Sequence, residues 1–229
     1  TFVKNISSIL QRPLEIINLS GAQDVSFLEG HSFTYEGAKY GKILNTLIKH
    51  NTMDPIIFFD EVDKISKTEK GYELENLLIN LIDVTQNYNF SDKYFQEITL
   101  DLSKITFIFS YNDSSFINKI LKDRIFEIII EGYSFEDKLI LAQDFIIPQI
   151  LSQFSFTSKD IIFSISSLKI IINNYCLHDE GVRQLKHILY NIISKLHVLY
   201  VTQDHTLSNI SMEIKFPIKL TKSNIKYVL

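Results

Sequence analysis

The chain has 229 residues and 45% of them are hydrophobic, which is enough to form one large core or two smaller ones. Its formal net charge is −4 and its Lys and Arg residues form no cluster, so the composition argues against a nucleic-acid-binding protein. A single cysteine excludes an internal disulfide, and neither a signal peptide nor an apolar run of about 18 residues is recognisable. We therefore expect a cytoplasmic protein that does not cross a membrane.

The first part of the chain alternates between patterns typical of helices and of buried strands. Helical spacing of apolar residues predicts helices at residues 2–11, 42–50 and 74–84. Short apolar runs predict strands at residues 14–19, 56–59, 105–110 and 126–130. Strands that alternate with helices predict a parallel sheet, and hence a three-layer α/β domain.

The pattern changes after Gly132. Helical periodicity without a comparable buried strand covers residues 135–151, 165–175 and 182–201. We therefore place a domain boundary here, with an α/β domain at residues 1–132 and a small helical domain at residues 133–229. Cys176 lies in an apolar stretch with no activating base beside it, so we expect a buried structural thiol.

Four large apolar residues at positions 56–59 run directly into the carboxylates of Asp60 and Glu61. This pattern is typical of the Walker B strand of an ATPase, because an open α/β sheet binds its ligand at the carboxyl ends of its strands. Asp60 is then expected to hold Mg²⁺ through its water shell, and Glu61 to orient the water that attacks the γ-phosphate of ATP. Taken alone, the same residues are explained equally well by a buried strand followed by a solvated acidic turn.

Three further residues can complete an ATP site, although each also has a simpler explanation. Asn112, beyond the third predicted strand, can reach the attacking water and the γ-phosphate, or it can be a turn-forming residue. Arg124 can project into a neighbouring subunit as an arginine finger, or it can be a surface arginine. Arg183 starts a predicted helix of the second domain, from which its guanidinium can bridge to the γ-phosphate.

Several short motifs follow one another along the chain. They are Gly30-His31, Thr34-Tyr35, Gly37-Ala38, Gly41, Asp60-Glu61-Val62-Asp63-Lys64, Asn89-Phe90-Ser91-Asp92-Lys93-Tyr94, Asp101-Leu102-Ser103-Lys104, Asp123-Arg124, Gly132-Tyr133 and Glu180-Gly181-Val182-Arg183. In this order, and over nearly the whole chain, they resemble the AAA+ ATPase module of the Lon protease family. The members of this family are ATP-dependent serine proteases. The resemblance favours the functional interpretations of Glu61, Asn112, Arg124 and Arg183.

The resemblance implies an AAA+ domain of the P-loop NTPase type with a small helical lid domain, assembled into a homo-hexameric ring. Such a ring uses ATP and Mg²⁺ to unfold damaged or unfolded proteins and to thread them into a peptidase chamber, in the cytoplasm or, in a eukaryote, in the mitochondrial matrix. Tyr35 would be the aromatic residue of the pore loop, with Glu36 beside it, although Tyr35 alone also fits a half-buried packing residue. Residues 87–94 would form a second loop near the pore. Tyr133 would lie at the interdomain hinge, where it either contacts the adenine or only packs the hinge.

The chain departs from the family pattern because it lacks a Walker A motif. The segment Gly37-Ala38-Lys39-Tyr40-Gly41-Lys42 resembles one, but only three residues separate its glycines, and Ile43 stands where a Mg²⁺-binding Ser or Thr is required. In the family pattern the motif would end at or just before Thr1. We therefore expect a truncated piece that, on its own, binds ATP poorly and has negligible ATPase activity.

No nucleophile and base arrangement for peptide hydrolysis is recognisable in the chain, and no His or Cys cluster for zinc. We therefore expect the serine endopeptidase to lie elsewhere in the parent protein. Two alternatives stay open, namely an AAA+ chaperone or remodelling ATPase without a peptidase, and a catalytically inactive Lon-like scaffold. Bulky Phe109 and Tyr111 near Asn112 are compatible with reduced ATPase activity.

Overall fold

The computed structural model describes residues 2–22, 24–34, 36–177, 179–202, 216–223 and 225. The chain divides into two compact units, Thr1–Ile128 and Ile129–Leu229, and each unit has its own hydrophobic core. The division falls after residue 128, whereas the domain boundary expected from the sequence is at residue 132.

The first unit is an α/β fold built around a parallel sheet. Its strands are β1 (Leu14–Asn18), β2 (Ile56–Asp60), β3 (Phe90–Ser91), β4 (Thr99–Leu100) and β5 (Thr106–Phe109). Its helices are α1 (Phe2–Leu10), α2 (Ser26–Glu29), α3 (Lys42–His50), α4 (Glu69–Ile82) and α5 (Lys119–Lys122). Strands β1, β2 and β5 pair in parallel in that order, with Asn18 opposite Asp60 and Phe59 opposite Phe109. The short strands β3 and β4 form a separate antiparallel hairpin.

Strand β2 is the central strand of the sheet and lies deep in the core. Its residues Ile56, Ile57 and Phe59 are fully buried, as expected for a strand with a neighbour on each side and helices on both faces of the sheet. The ring of Phe59 stacks with those of Phe107 and Phe109 on β5, at centroid distances of 6.2 and 5.4 Å. This packing fixes the end of β2, and with it the position of the residues that follow.

The guanidinium of Arg12 ties the three parallel strands together at their amino ends. Its Nε donates to the carbonyl of Asp54 at 2.5 Å, just before β2 begins. Its two terminal nitrogens donate to the Thr106 hydroxyl and to the Lys104 carbonyl, both at 2.8 Å, at the start of β5. Because Arg12 itself precedes β1, one side chain bridges the entry points of all three strands.

The second unit is mainly helical. Its helices are α6 (Phe135–Leu141), α7 (Ile147–Gln153), α8 (Ile165–Tyr175) and α9 (Arg183–Thr202), with a π-helical turn at Ala142–Ile146 between α6 and α7. Cys176 is fully buried, as expected, and burial raises the pKa of its thiol. Among the described helices of both units, none is long and apolar enough to cross a membrane.

Two predictions about strands are wrong. Residues 126–130 form no strand, and Phe126 and Ile129 are 90% and 81% exposed. An apolar run forms a strand only where a neighbouring strand hydrogen-bonds to its backbone N–H and C=O groups. No strand in the described ranges pairs with residues 126–130. The second unit, in contrast, contains the strands β6 (Ile161–Phe163) and β7 (Ile218–Leu220), which pair in parallel. Three-residue strands are too short to stand out from a helical pattern.

Candidate functional site

Asp60 and Glu61 lie at the carboxyl end of β2, where Ser110 holds both of them. The hydroxyl of Ser110 donates to Oδ1 of Asp60 and accepts the backbone N–H of Glu61 at 3.3 Å. Ser110 directly follows β5, and its own N–H donates to the carbonyl of Phe59 at 2.9 Å, which continues the pairing of the two strands. One hydroxyl therefore fixes the orientation of the Asp60 carboxylate and the backbone of Glu61. The sequence gives no sign of this role for Ser110, because it depends on which strands are neighbours.

The backbone of Glu61 adopts a left-handed conformation, with φ 59° and ψ 48°. This conformation costs a residue other than glycine about 1–2 kcal/mol. Neighbouring hydrogen bonds hold it in place, since Val62 donates to the carbonyl of Ser110 at 3.0 Å and Leu19 donates to the carbonyl of Asp60 at 2.9 Å. The chain therefore turns sharply at Glu61 and leaves the sheet at this residue. Backbone strain of this kind is typical of functional sites.

Asn18 is a second residue at this edge that the sequence patterns did not reveal. It is the last residue of β1 and lies opposite Asp60 in the sheet. Its Oδ1 accepts the N–H of Ser20 at 2.6 Å, so its amide NH₂ group points the other way and donates to Oε2 of Glu61 at 3.4 Å. The contact is long, so it orients the Glu61 carboxylate weakly.

Asn112 is exposed and follows β5 at the same edge of the sheet. Because β2 and β5 are adjacent and parallel, the structure places Asn112 on the same side of the sheet as Asp60 and Glu61. The neighbouring Tyr111 points its hydroxyl at the Glu127 carboxylate. Burial, and then this carboxylate, raise the pKa of Tyr111 to about 12, so the hydroxyl keeps its proton and remains a donor. The hydrogen bond to Glu127 therefore holds the Tyr111 side chain in place.

Arg124 forms an ion pair with Asp83, the residue directly after α4. Hydrogen bonds from the side chain and backbone of Thr85, and then from Arg124, hold the pKa of Asp83 at about 2. The Arg124 side chain is 39% exposed. It is thus reachable from outside the unit, but in this structure its guanidinium is engaged within its own chain.

Arg183 and Tyr133 belong to the second unit. Arg183 is the first residue of α9 and lines an open cavity of about 730 Å³ together with Asn174, Asp179 and His187. The N–H of Tyr133 donates to the carbonyl of Glu180 at 2.9 Å, so the predicted hinge residue contacts the segment that precedes Arg183.

A buried lysine supports that same segment. Lys138 is only 4% exposed, and its ammonium group donates to the carbonyl of Cys176 at 3.0 Å and to the carbonyl of Asp179. The carboxylate of Asp179 in turn accepts the N–H groups of Gly181 at 3.0 Å and Gln184 at 3.2 Å. These contacts fix the turn that leads into α9. The sequence patterns missed Lys138, because a lysine in an amphipathic helix is usually exposed.

The predicted pore-loop residue Tyr35 lies outside the described residues. Its neighbour Glu36 is exposed and precedes Gly37, whose φ of +77° suits glycine. Of the second predicted loop, at residues 87–94, the structure forms a 3₁₀ turn at Asn87–Asn89 and the first strand of the β3–β4 hairpin.

A family model described as the ATPase family associated with various cellular activities (AAA) matches residues 1–133. The chain belongs to this AAA family. The AAA family implies that ATP is bound, usually with Mg²⁺.

The AAA chain is also similar to proteins that are called Lon proteases. It is 40% identical to a Lon protease homolog of Acanthamoeba polyphaga mimivirus over 85% of its length, and 34% identical to a mitochondrial Lon protease homolog of Drosophila melanogaster over 86%. It is 32% identical to the Lon protease of Cytophaga hutchinsonii over 99% of its length. These matches span only 19% to 26% of the relatives, so the chain corresponds to about a fifth to a quarter of each relative.

The sheet edge of this AAA chain fits a magnesium ion that is bound together with a nucleotide. Asp60, Glu61 and Asn112 offer oxygen atoms only, which is the donor type that Mg²⁺ prefers. Among the described residues there is no cluster of three or more His, Cys, Asp or Glu that could hold a metal. An ion at this edge therefore depends on nucleotide phosphates and water for most of its ligands.

The segment that resembles a Walker A motif is not a phosphate loop in the AAA chain. The N–H of Gly41, which a phosphate would need, donates to Oδ2 of the buried Asp92 at 2.7 Å. The ammonium group of Lys42 lies 2.6 Å from Oε1 of the buried Glu15. Both donors are taken by carboxylates of the chain itself, so this segment offers little to a phosphate.

Proposed function

We propose that this chain is the ATPase module of a Lon-like, ATP-dependent protease, which hydrolyses ATP to unfold protein substrates and to thread them into a peptidase chamber. The observation that carries the proposal is the pair Asp60 and Glu61 at the carboxyl end of the central strand, held by the hydroxyl of Ser110. The similarity to Lon proteases over most of the chain supports the same conclusion.

Each residue at the sheet edge has a role in this proposal. Bound ATP and Mg²⁺ supply the electrophilic phosphorus and neutralise the charge on the phosphates. When Mg²⁺ is bound, Asp60 would hold it, with its carboxylate oriented by Ser110. Glu61 orients the attacking water and draws off its proton, and the amide of Asn112 donates to the γ-phosphate and positions the same water.

Two arginines act on the phosphates from outside this edge. Arg124 leaves Asp83 and reaches the site of a neighbouring subunit, where its guanidinium stabilises the charge that develops in the transition state. Arg183, the first residue of α9, binds the γ-phosphate through its guanidinium, so that loss of this phosphate releases the contact. Tyr133 packs beside the adenine. The role of Arg124 requires an adjacent subunit, which a homo-hexamer provides.

The substrate in this proposal is an unfolded or damaged protein. We assign Tyr35 the role of gripping the substrate backbone through the bulk of its ring, and Glu36, the next residue in the sequence, is exposed. Contacts of this kind do not depend on the sequence of the substrate, which suits an enzyme that removes damaged proteins.

The experiment that tests this proposal follows a stably folded fluorescent protein with an unstructured tail, incubated with the intact parent protein. With ATP, we expect loss of fluorescence together with peptide release, and with ADP or a non-hydrolysable ATP analogue we expect neither. Loss of fluorescence without peptide release would instead indicate a remodelling ATPase without peptidase. No effect of ATP on either signal, with intact ring assembly, would indicate an inactive scaffold and would contradict the proposal.

A further inference from the structure

The two ends of residues 31–40 meet at one point. The N–H of His31 donates to the carbonyl of Lys39 at 3.0 Å. Gly30 and Gly41 bracket the segment, and their backbones are so close that a Cβ on Gly41 would lie 2.6 Å from the nitrogen of Gly30. The two ends of the segment are therefore held together, and we call its described residues, 31–34 and 36–40, the 31–40 loop.

A carboxylate from the β3–β4 hairpin lies at this closure point. Asp92 is 1% exposed, and its Oδ2 accepts the N–H of Gly41 at 2.7 Å. Its Oδ1 accepts the N–H of Tyr94 within the hairpin at 2.9 Å and fills the space where a side chain at Gly30 would begin. Since Gly30 also has a φ of +86°, only glycine fits beside this carboxylate.

The next residue of the hairpin contacts the other end of the loop. The N–H of Lys93 donates to the carbonyl of Glu29 at 2.7 Å, and its ammonium group pairs with the Glu29 carboxylate. Asp92 and Lys93 together therefore contact the chain both before and after the 31–40 loop.

Aromatic rings extend this contact towards the surface. The ring of Tyr40, at the end of the 31–40 loop, lies 6.4 Å from that of Tyr94 and 6.5 Å from that of Phe95, centroid to centroid. Tyr94 and Phe95 pack edge to face at 5.0 Å. The loop and the hairpin thus share one partly exposed aromatic surface.

We propose that Asp92 is a positioning residue that couples the 31–40 loop to the β3–β4 hairpin, so that the two segments contact the substrate as one rigid body. A carboxylate that is buried in a region of low dielectric and accepts two backbone N–H groups forms strong bonds, and no neutral side chain replaces both of them. The coupling transmits force between the segments, since a pull on either one acts on the other through Asp92. The inference rests on the proposed function, because it assumes that the 31–40 loop grips a protein substrate.

The first test measures hydrogen exchange in the intact parent protein. Asp92→Ala is expected to raise exchange at least fivefold both in peptides that cover residues 36–41 and in those that cover residues 92–96. The matched control is Asp101→Ala, because Asp101 accepts the N–H of Ser103 at 2.9 Å in an exposed turn of the same region. Faster exchange in the hairpin alone would overturn the coupling. If Asp92→Ala does not fold, Asp92→Asn tests the same point, since its amide accepts only one of the two N–H groups.

The second test separates positioning from a purely structural role. In the folded variant, we expect the KM for a protein substrate to rise at least fivefold while kcat changes less than twofold, and the Asp101 control to leave both unchanged. An unchanged KM together with faster exchange would limit Asp92 to local structure and overturn its positioning role. A wild-type parent that does not act on proteins at all would contradict the proposed function instead, and the exchange experiment would still decide whether the two segments are coupled.

Discussion

The hydroxyl of Ser110 donates a hydrogen bond to Asp60 from a position 50 residues further along the chain. The same oxygen accepts the N–H of Glu61, so one side chain orients both acidic residues of the candidate ATP site. The contact exists because β2 and β5 are adjacent and parallel, which brings the residues after each strand to the same edge.

Replacing Ser110 by alanine is expected to lower the kcat for ATP hydrolysis in the intact parent by about 10-fold to 100-fold. A hydrogen bond to a charged group contributes about 1.5–3 kcal/mol, and here its loss frees the Asp60 carboxylate. Steady-state ATPase kinetics measure the effect. Ser115→Ala removes an exposed hydroxyl nearby and serves as the control. Equal rates in the two variants would mean that Ser110 does not orient the site.

Replacing Arg12 by alanine is expected to destabilise the chain by about 2–4 kcal/mol, because carbonyls at the amino ends of β2 and β5 lose a charged donor. Arg12→Lys should restore little of this loss, since one ammonium group cannot reach all these acceptors in the geometry of a guanidinium. Urea denaturation measures the free energy of unfolding. Lys4→Ala, which removes an exposed charge on α1, is the control, and a similar loss there would contradict a specific role for Arg12.

Glu15 predicts a dependence of stability on pH. Burial alone raises the pKa of Glu15, but hydrogen bonds from Lys42, Lys49 and His50 outweigh it and hold the pKa at about 2. Because this value is below the ordinary 4.5, the ionised carboxylate stabilises the fold fully above about pH 4.5, and the stabilisation is lost as the pH falls towards 2. Solvent screening weakens these interactions, because the Lys49 side chain is 54% exposed. After this reduction, we expect the ionised Glu15 to contribute on the order of 2 kcal/mol to the free energy of unfolding.

Urea denaturation of wild type and Glu15→Gln between pH 6 and pH 3 tests this expectation. The difference in unfolding free energy should be constant above pH 5 and should shrink below it. Glu73→Gln, an exposed residue of α4, should show no such change. A difference that stays constant down to pH 3 would mean that the Glu15 cluster does not depress the pKa.

The isolated 229-residue chain is expected to show no ATPase activity above background with Mg²⁺, because the donors of the segment that resembles a Walker A motif are engaged by Asp92 and Glu15. A coupled assay of ADP release measures this. Turnover that disappears in Lys42→Ala would identify residues 37–42 as a working phosphate loop, against the contacts in the structure.

Much of the fold follows from the sequence where one periodicity dominates. The helices at 42–50 and 165–175 have the predicted bounds, because their apolar faces repeat without interruption. The strand predicted at residues 126–130 does not form, and these residues are largely exposed. An apolar run forms a buried strand only if a partner strand is available, and a local sequence pattern cannot reveal that partner.

Some residues of the candidate site could likewise be predicted from the sequence, and others could not. Asp60, Glu61 and Asn112 were predicted because each lies at or shortly after the end of a predicted strand. Asn18, Ser110 and Lys138 were not, because their roles depend on contacts between segments that are far apart in the sequence. An ordinary serine after a strand carries no signal until its neighbouring strand is known.

The central claim is that Glu61 activates the water that attacks ATP in the parent protein. The most direct test is Glu61→Gln in that protein, with nucleotide binding and hydrolysis measured on the same preparation. We predict that ATP affinity stays within about threefold of wild type while hydrolysis falls at least 100-fold, because the amide fills the same space but cannot accept the proton of the water. Hydrolysis at the wild-type rate in this variant would contradict the account.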